Sequence, residues 1–211
     1  MAIADVHSPD TRRERPRTLE EFLGWHDEDA WVEWAGGEVV TLSPASNRHQ
    51  QITRLLSALL SLYVEEHDVG WVATAPFLMH LPHLDRAREP DLLFVAREHL
   101  ERVRETRLEG AADLVVEILS PESVSRDRGD KFVEYEAAGV REYWLIDPDR
   151  RQVEVYGLDD VGGERRFRLR PADAAGRHRS QVLAGFWLHP DWLFDEPIKV
   201  TDAARELGLL D

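Results

Sequence analysis

Apolar residues recur at one spacing in the first third of the chain and at another beyond Gly70. After Ser46 they follow at intervals of three and four, on one face of a helix: Ile52, Leu55, Leu56, Leu59, Leu62 and Tyr63. After Gly70 they alternate with polar residues or form short continuous runs, which is typical of strands. The pattern therefore predicts a long helix followed by a strand-rich region.

Caps and turn residues divide this pattern into elements. Thr18 is expected to start a short helix, Gly36-Gly37 to turn into a strand, and Gly139 to end a helix over 125–138. Further strands are predicted at 71–81, 90–96, 112–120, 141–147, 152–158, 165–170 and 181–188. This order predicts a mixed α/β (α+β) fold around one sheet.

Size and composition fit one domain. The chain has 211 residues, of which 43% are hydrophobic, enough for a single large core. Residues 1–17 are polar and are predicted to form a disordered arm, so the domain spans 18–211. The arm has no apolar signal segment, and no run of 18 apolar residues could cross a membrane. We expect a cytoplasmic protein with no membrane partner.

Charge and cysteine content exclude some functions. A net charge of −15 argues against coating nucleic acid through bulk electrostatics, although a local basic rim and bound cations could still bind it. The chain has no cysteine, which excludes disulfides, thiolate zinc sites and cysteine nucleophiles.

Glu117 interrupts the apolar strand predicted at 112–120. Because strand side chains alternate, Val115 and Glu117 share one face and Val116 lies on the other, and both faces are apolar. An unpaired buried carboxylate is costly, so Glu117 should be paired, hydrogen-bonded or bound to a metal. Asp91, at the start of another strand, could converge with it on a hard cation such as Mg²⁺, which binds one or two carboxylates together with substrate phosphate oxygens.

A cation can be placed near Glu117 by arithmetic. Glu117 lies three residues before Ser120, roughly 10 Å at about 3.3 Å per residue. If the next helix folds back from Ser125, Lys131 lies six residues in, roughly 9 Å at about 1.5 Å per residue. The two side chains are then level, with Tyr135 on the same helical face as Lys131. Such an ammonium could orient a water or stabilise charge on phosphate.

Several motifs resemble the Uma2 family, a branch of the PD-(D/E)XK nuclease superfamily. They are Pro90-Asp91, Glu117-Ile-Leu-Ser-Pro121, Asp130-Lys131, Tyr135 and Gly139-Val-Arg-Glu-Tyr-Trp-Leu-Ile-Asp-Pro148. The resemblance runs from about Trp34 to Pro190. It implies a restriction-endonuclease-like core, a central mixed sheet flanked by helices, and hydrolysis of phosphodiesters, which we expect to be in DNA, with Mg²⁺ or Mn²⁺.

The resemblance also implies roles for single residues. Asp91 and Glu117 would be metal ligands together with the main-chain carbonyl of Ile118. The superfamily lysine should stand at position 119, which is Leu119 here, and the Uma2 pattern moves it to Lys131. The family also carries an acid and a histidine near the first long helix. The acid corresponds to Glu38, which would add to the metal site. The histidine corresponds to His49, which would support the site together with Tyr135.

Simpler interpretations exist for each residue. Asp91 could start its strand by turn chemistry, Glu117 could bond to the backbone or to an arginine, and Lys131 could be a solvated helix residue. Glu38 could be a turn residue and His49 a surface one. The corresponding alternative functions are an inactive nuclease-fold binding or regulatory module and a phosphodiesterase with a non-DNA substrate. We also expect a two-fold homodimer, the commonest soluble oligomer.

Overall fold

The computed structural model describes residues 15–25, 31–197 and 199–211. The helices are α1 (Leu19–Trp25), α2 (Asn47–His67), α3 (Val124–Arg128), α4 (Asp130–Ala138), α5 (Pro190–Phe194) and α6 (Val200–Glu206). The strands are β1 (Val32–Ala35), β2 (Val39–Thr41), β3 (Gly70–Thr74), β4 (Leu78–Leu81), β5 (Arg86–Arg88), β6 (Leu92–Ala96), β7 (Arg107–Glu109), β8 (Leu114–Ile118), β9 (Glu142–Asp147), β10 (Gln152–Val161), β11 (Glu164–Arg170), β12 (His178–Arg179) and β13 (Trp187–Leu188). Short 3-10 helices cover Pro82–Leu84 and Arg97–Arg102.

A central sheet has the order β11-β10-β9-β8-β6-β3. It is mixed, because β8 and β9 run parallel while their outer neighbours pair antiparallel. The apolar stripe of α2 packs on one face with Val116 of β8, and Tyr135 of α4 packs on the other with Val115. The fold class predicted from the sequence is confirmed, and alternation places Glu117 on the α4 face.

A second sheet, in the order β2-β1-β5-β4-β7, was not predicted. The single strand expected at 71–81 is wrong, because β3 joins the central sheet and β4 the second one. Pro76 lies between them and has no amide hydrogen, so it cannot continue a ladder. The break matters for the site, because it places a second sheet beside the first.

The helix predicted at 125–138 is two helices. α3 ends at Gly129, where an added Cβ would lie 2.7 Å from the carbonyl oxygen of Ser125, and α4 starts at the next residue. Gly139 has a φ of 89° and ends α4 as predicted. The predicted starts of α1 and α2 are also confirmed, since Ser46 accepts from the amide of His49 and Thr18 from that of Glu21.

The strand predicted at 181–188 is wrong except for β13 at its end. The amides of Gln181 and Val182 both donate to the carboxylate of Glu142, which holds this segment in a turn instead of a ladder. Most of the predicted arm, 1–17, lies outside the described residues, so the domain boundary stays a prediction. No helix in the described part of the chain is long and apolar enough to cross a membrane.

Candidate active site

A cleft of about 520 Å³ opens where β6 begins and β8 ends. Its walls are the segment before α2, the first turns of α2, the loop after β8 and α3. Among the residues predicted to form a site, it is lined by His49, Asp91, Glu117, Ile118 and Lys131. The structure thus brings most of the candidate residues together.

Glu117 is buried at the back of this cleft, with 3% of its surface exposed. One carboxylate oxygen, Oε1, accepts hydrogen bonds from Lys131 Nζ at 2.8 Å and from the Tyr135 hydroxyl at 2.9 Å. The other oxygen, Oε2, accepts none from the described residues. The alignment of Lys131 with Glu117 calculated from strand and helix rise is therefore present, and Tyr135 joins it from the same helical face.

Lys131 is buried and surrounded by acids rather than solvated. Besides Glu117, its ammonium lies 2.9 Å from Glu33 and 3.5 Å from Asp127. Burial alone would lower the pKa of Lys131, but attraction by Glu117, Glu33 and Asp127 raises it well above its usual value. The ammonium therefore stays protonated.

Glu33 was missed by the sequence analysis. It lies on β1 of the second sheet, fully buried, and its carboxylate accepts from Arg88 at 3.0 Å and from the amide of Glu89 at 3.1 Å. Burial would raise the pKa of Glu33, but Lys131 and Arg88 outweigh it and lower the pKa. The signal was the one that marked Glu117, a single acid inside an apolar strand.

Arg88 ties the second sheet to α4. Its guanidinium is 1% exposed and contacts Glu33 through one nitrogen, while Nε and Nη2 donate to the two oxygens of Glu134 at 2.8 and 2.9 Å. Arg86 Nε donates to the same carboxylate. These buried ion pairs fix α4, and with it Lys131, against β1 and β5.

Asp91 lies beside the end of β8. Its Oδ2 accepts from the main-chain amide of Ile118 at 2.7 Å, and its Oδ1 lies 3.1 Å from His49 Nε2. The side chain is 19% exposed, toward the cleft. His49 is held in turn near the N-terminus of α2, where Thr53 contacts its ring at 3.3 Å.

Glu38 is not brought to the cleft, so its expected place in the metal site is wrong. It is exposed in the turn between β1 and β2, and its carbonyl closes that turn by accepting from Ala35 at 2.9 Å. Gly36 and Gly37 both have positive φ, of 55° and 101°, which makes the turn tight and directs Glu38 to solvent. The acid that β1 contributes to the site is Glu33.

The site carries more negative than positive charge. Burial raises the pKa of Glu117 to about 8, and repulsion from Asp127, Asp91 and Glu33 adds to the effect against the attraction of Lys131. Asp127 Oδ1 is buried and accepts no hydrogen bond from any described residue. A cation in the cleft would reduce the repulsion around Glu117 and would offer a partner to the Asp127 oxygen.

The carboxylates of Asp91 and Glu117 and the carbonyl of Ile118 offer hard oxygens, which suit Mg²⁺ or Mn²⁺. No cluster of three or more His, Asp and Glu side chains with metal-binding geometry occurs among the described residues. The groups therefore fit a sparse site of two carboxylates and a carbonyl, of the kind in which Mg²⁺ keeps several waters.

The fold is shared with a solved structure. The crystal structure of a putative nuclease belonging to DUF820 from Anabaena variabilis has a TM-score of 0.67, 22% identity, and covers 85% of this chain and 98% of that chain. Among curated proteins no match was found. The sequence model of the Uma2 family, described as "Putative restriction endonuclease", matches residues 19–191. The chain belongs to the Uma2 family.

Proposed function

We propose that this protein is a divalent-metal-dependent endonuclease that hydrolyses phosphodiester bonds in DNA. The observation that carries the proposal is the cluster at the back of the cleft, where Glu117 and Glu33 share the ammonium of Lys131 and Asp91 directly precedes the adjacent strand β6. Membership of the Uma2 family supports the same reaction class. Oxygen ligands and a protonated amine next to a cleft are the groups that phosphoryl hydrolysis needs.

Asp91, Glu117 and the carbonyl of Ile118 would hold Mg²⁺ or Mn²⁺. When bound, the cation would polarise a phosphoryl oxygen and lower the pKa of a bound water. Tyr135 and Lys131 anchor Oε1 of Glu117, which leaves Oε2 for the cation. His49 and the Ile118 amide fix the Asp91 carboxylate through one contact to each oxygen, and each oxygen keeps a further lone pair for the cation.

Lys131 would supply the positive charge that the superfamily takes from position 119. Leu119 lines the same cleft and is buried in the apolar cluster with Tyr135 and Leu145, so the superfamily position here supplies no charge. Lys131 reaches the same carboxylate from α4 and stays charged because of Glu33 and Asp127. Because these acids already hold its ammonium, Lys131 would act through its charge and stabilise the negative charge that develops on the phosphate.

The proposal is tested by cleavage of plasmid and oligonucleotide DNA with Mg²⁺, Mn²⁺ or a chelator. Cleavage should need the metal and should fall by about 100-fold or more in Glu117→Gln and Asp91→Asn, because each removes a charged ligand. Glu142→Gln, a buried acid on β9 away from the cleft lining, should keep cleavage. Metal-dependent cleavage that survives the double variant would refute the assignment.

A second candidate is a nuclease-fold binding module without catalysis. It is favoured by Leu119 at the superfamily lysine position and by the raised pKa of Glu117, which disfavours the carboxylate unless a cation is bound. Absence of cleavage with any metal, combined with retained binding of nucleic acid, would support it.

The net charge of −15 favours a third candidate, a phosphodiesterase for smaller substrates. Cleavage of a small phosphodiester, without cleavage of DNA, would support this candidate.

The homodimer predicted from the sequence stays a prediction, which light scattering would test. β11 is an edge strand of the central sheet and carries exposed arginines at 165, 166 and 168. Pairing of two copies along this edge would bring like charges together. We therefore expect a dimer to use another surface.

A further inference from the structure

The cations that line the cleft differ in how far their hydrogen bonds are already used. Lys131 is held by the buried acids, and Arg48 donates to the Phe194 carbonyl at 2.7 Å and to Glu196 at 2.6 Å. Arg126 on α3 donates no hydrogen bond to any described residue. Its Nε is buried without a partner, 3.8 Å from the nearest oxygen of Glu33, while the side chain is 25% exposed. Arg126 is thus the cleft cation with donors to spare.

An aromatic ring lies at the same cleft. Trp31 contributes to its lining and is 42% exposed, whereas Trp34, three residues on, is 1% exposed in the core. Within the described part of the chain, Trp31 stacks on no other ring. A partly exposed indole that lines a cleft can stack on a flat ligand, and every nucleobase has such a face.

We propose, on the basis of the nuclease function proposed above, that the cleft binds a single unpaired nucleic-acid strand. Arg126 donates to a backbone phosphate, which its planar guanidinium can bind through two hydrogen bonds. Trp31 stacks on a neighbouring base. Bases inside a duplex are already stacked on one another, so Trp31 can stack only on a base that has left the duplex.

Binding of labelled oligonucleotides to the wild-type protein in chelator tests this without cleavage. Fluorescence anisotropy would compare one sequence as single-stranded DNA, single-stranded RNA and duplex DNA over a range of salt. We expect a strand to bind more tightly than the duplex. Preference between the DNA and RNA strands identifies the sugar that the cleft accepts.

Variants at Arg126 and at Trp31 assign the contacts. Arg126→Ala should weaken strand binding and lower the slope of log affinity against log salt by about 0.7, the value of one phosphate contact on a single strand. Arg126→Lys should restore the slope. Trp31→Ala should weaken strand binding about 5- to 100-fold, with recovery in Trp31→Phe and little change for duplex. Arg168 is an exposed arginine on β11, and Arg168→Ala is the matched control. This variant should change neither the affinity for the strand nor the salt slope.

Failure here and failure of the nuclease function give different results. An unchanged salt slope in Arg126→Ala, tighter binding of duplex than of strand, or no binding of any oligonucleotide would overturn the strand-binding site even if DNA is cleaved. Strand binding that depends on Arg126 and Trp31 without metal-dependent cleavage would keep this site and refute the nuclease. Thermal melts of each variant would confirm that it is folded.

Discussion

At one end of the parallel pair β8–β9, buried carboxylates face a cleft, and at the other end they are enclosed by the protein. Glu117 and Asp127 represent the cleft end, while Asp113 and Glu142 represent the enclosed end. All four are buried. They differ in how their oxygens are used.

The enclosed end satisfies its acids with protein donors. Glu142 accepts from Trp144 Nε1 at 2.5 Å and from the amide of Gln181 at 2.6 Å, and further bonds come from residues 180 and 182. Asp113 accepts from the amide of Ala96 at 2.8 Å and pairs with His99 at 2.9 Å. These carboxylates hold turns and strand ends in place.

The cleft end leaves oxygens unused. Glu117 Oε2 and Asp127 Oδ1 accept no hydrogen bond from the described residues, and several acids share the charge of Lys131. A buried acid by itself therefore does not mark a functional site in this protein. What marks it is the combination of unused acceptors, excess negative charge and an opening to solvent.

The sharpest contrast between the two ends comes from removing a cation from each. Lys131→Met should lower the free energy of unfolding by about 3–5 kcal/mol, because buried acids are left facing one another without a counter-charge. Arg141→Gln at the enclosed end should cost at most about 1 kcal/mol, since this side chain is half exposed. Urea unfolding of both variants in chelator measures the difference. Equal losses would mean that Lys131 adds no more stability than a surface charge.

The second largest difference between the cleft end and the enclosed end should be the stabilisation that a bound metal provides. Because a cation that binds only the folded state stabilises it, Mg²⁺ or Mn²⁺ at a hundredfold excess over its dissociation constant should add about 2.7 kcal/mol. Glu117→Gln should lose most of this gain, while keeping near wild-type stability in chelator, since Lys131 retains Glu33. Glu142→Gln should keep the gain. Thermal melts with metal and with chelator provide the test, and a metal gain unchanged in Glu117→Gln would place the cation elsewhere.

The smallest effect concerns pH. The raised pKa of Glu117, about 8, means that the folded state holds this proton more tightly than the unfolded state between about pH 4.5 and 8. The resulting stabilisation is present at low pH and is lost as the pH rises through 8. We would therefore measure the free energy of unfolding of both proteins in chelator at pH 5 and at pH 8.5. Over this range it should fall in the wild type by at least about 1.4 kcal/mol more than in Glu117→Gln, the equivalent of one pKa unit. If the free energies of unfolding of the two proteins changed with pH by the same amount, Glu117 would be ionised over the whole range and this prediction would be wrong.

Local periodicity was enough to predict half of the site. Strand alternation placed Glu117, and the rise of a single helix assumed over 125–138 placed Lys131 and Tyr135 beside it. The level contact is present although that helix is broken at Gly129, because α4 still follows β8 closely in the chain. Glu33 could not be placed in this way. Its position depends on pairing between β1 and β5 in a second sheet, which only long-range contacts specify.

Similar limits explain the errors in the fold. Pro76 indicated that 71–81 could not be one strand, but the strand-like apolar pattern continues on both sides of it and led to the prediction of a single strand. Nothing local showed that Gln181 would donate to Glu142, far earlier in the chain, instead of joining a ladder. Glu38 was assigned by family position alone, and the tight turn at Gly36 directs it away.

The buried pairing of Arg88 with Glu33 and Glu134 also limits how this sequence can drift over generations. Replacing Arg88 alone leaves the buried charges of Glu33 and Glu134 without their arginine, so a lineage must change the three positions together or pass through a poorly folded intermediate. The cleft arginines Arg48 and Arg126 are partly exposed, so water can solvate a charge there that loses its partner. Variation in this lineage should therefore accumulate around the cleft, while the interior charges are inherited as a unit.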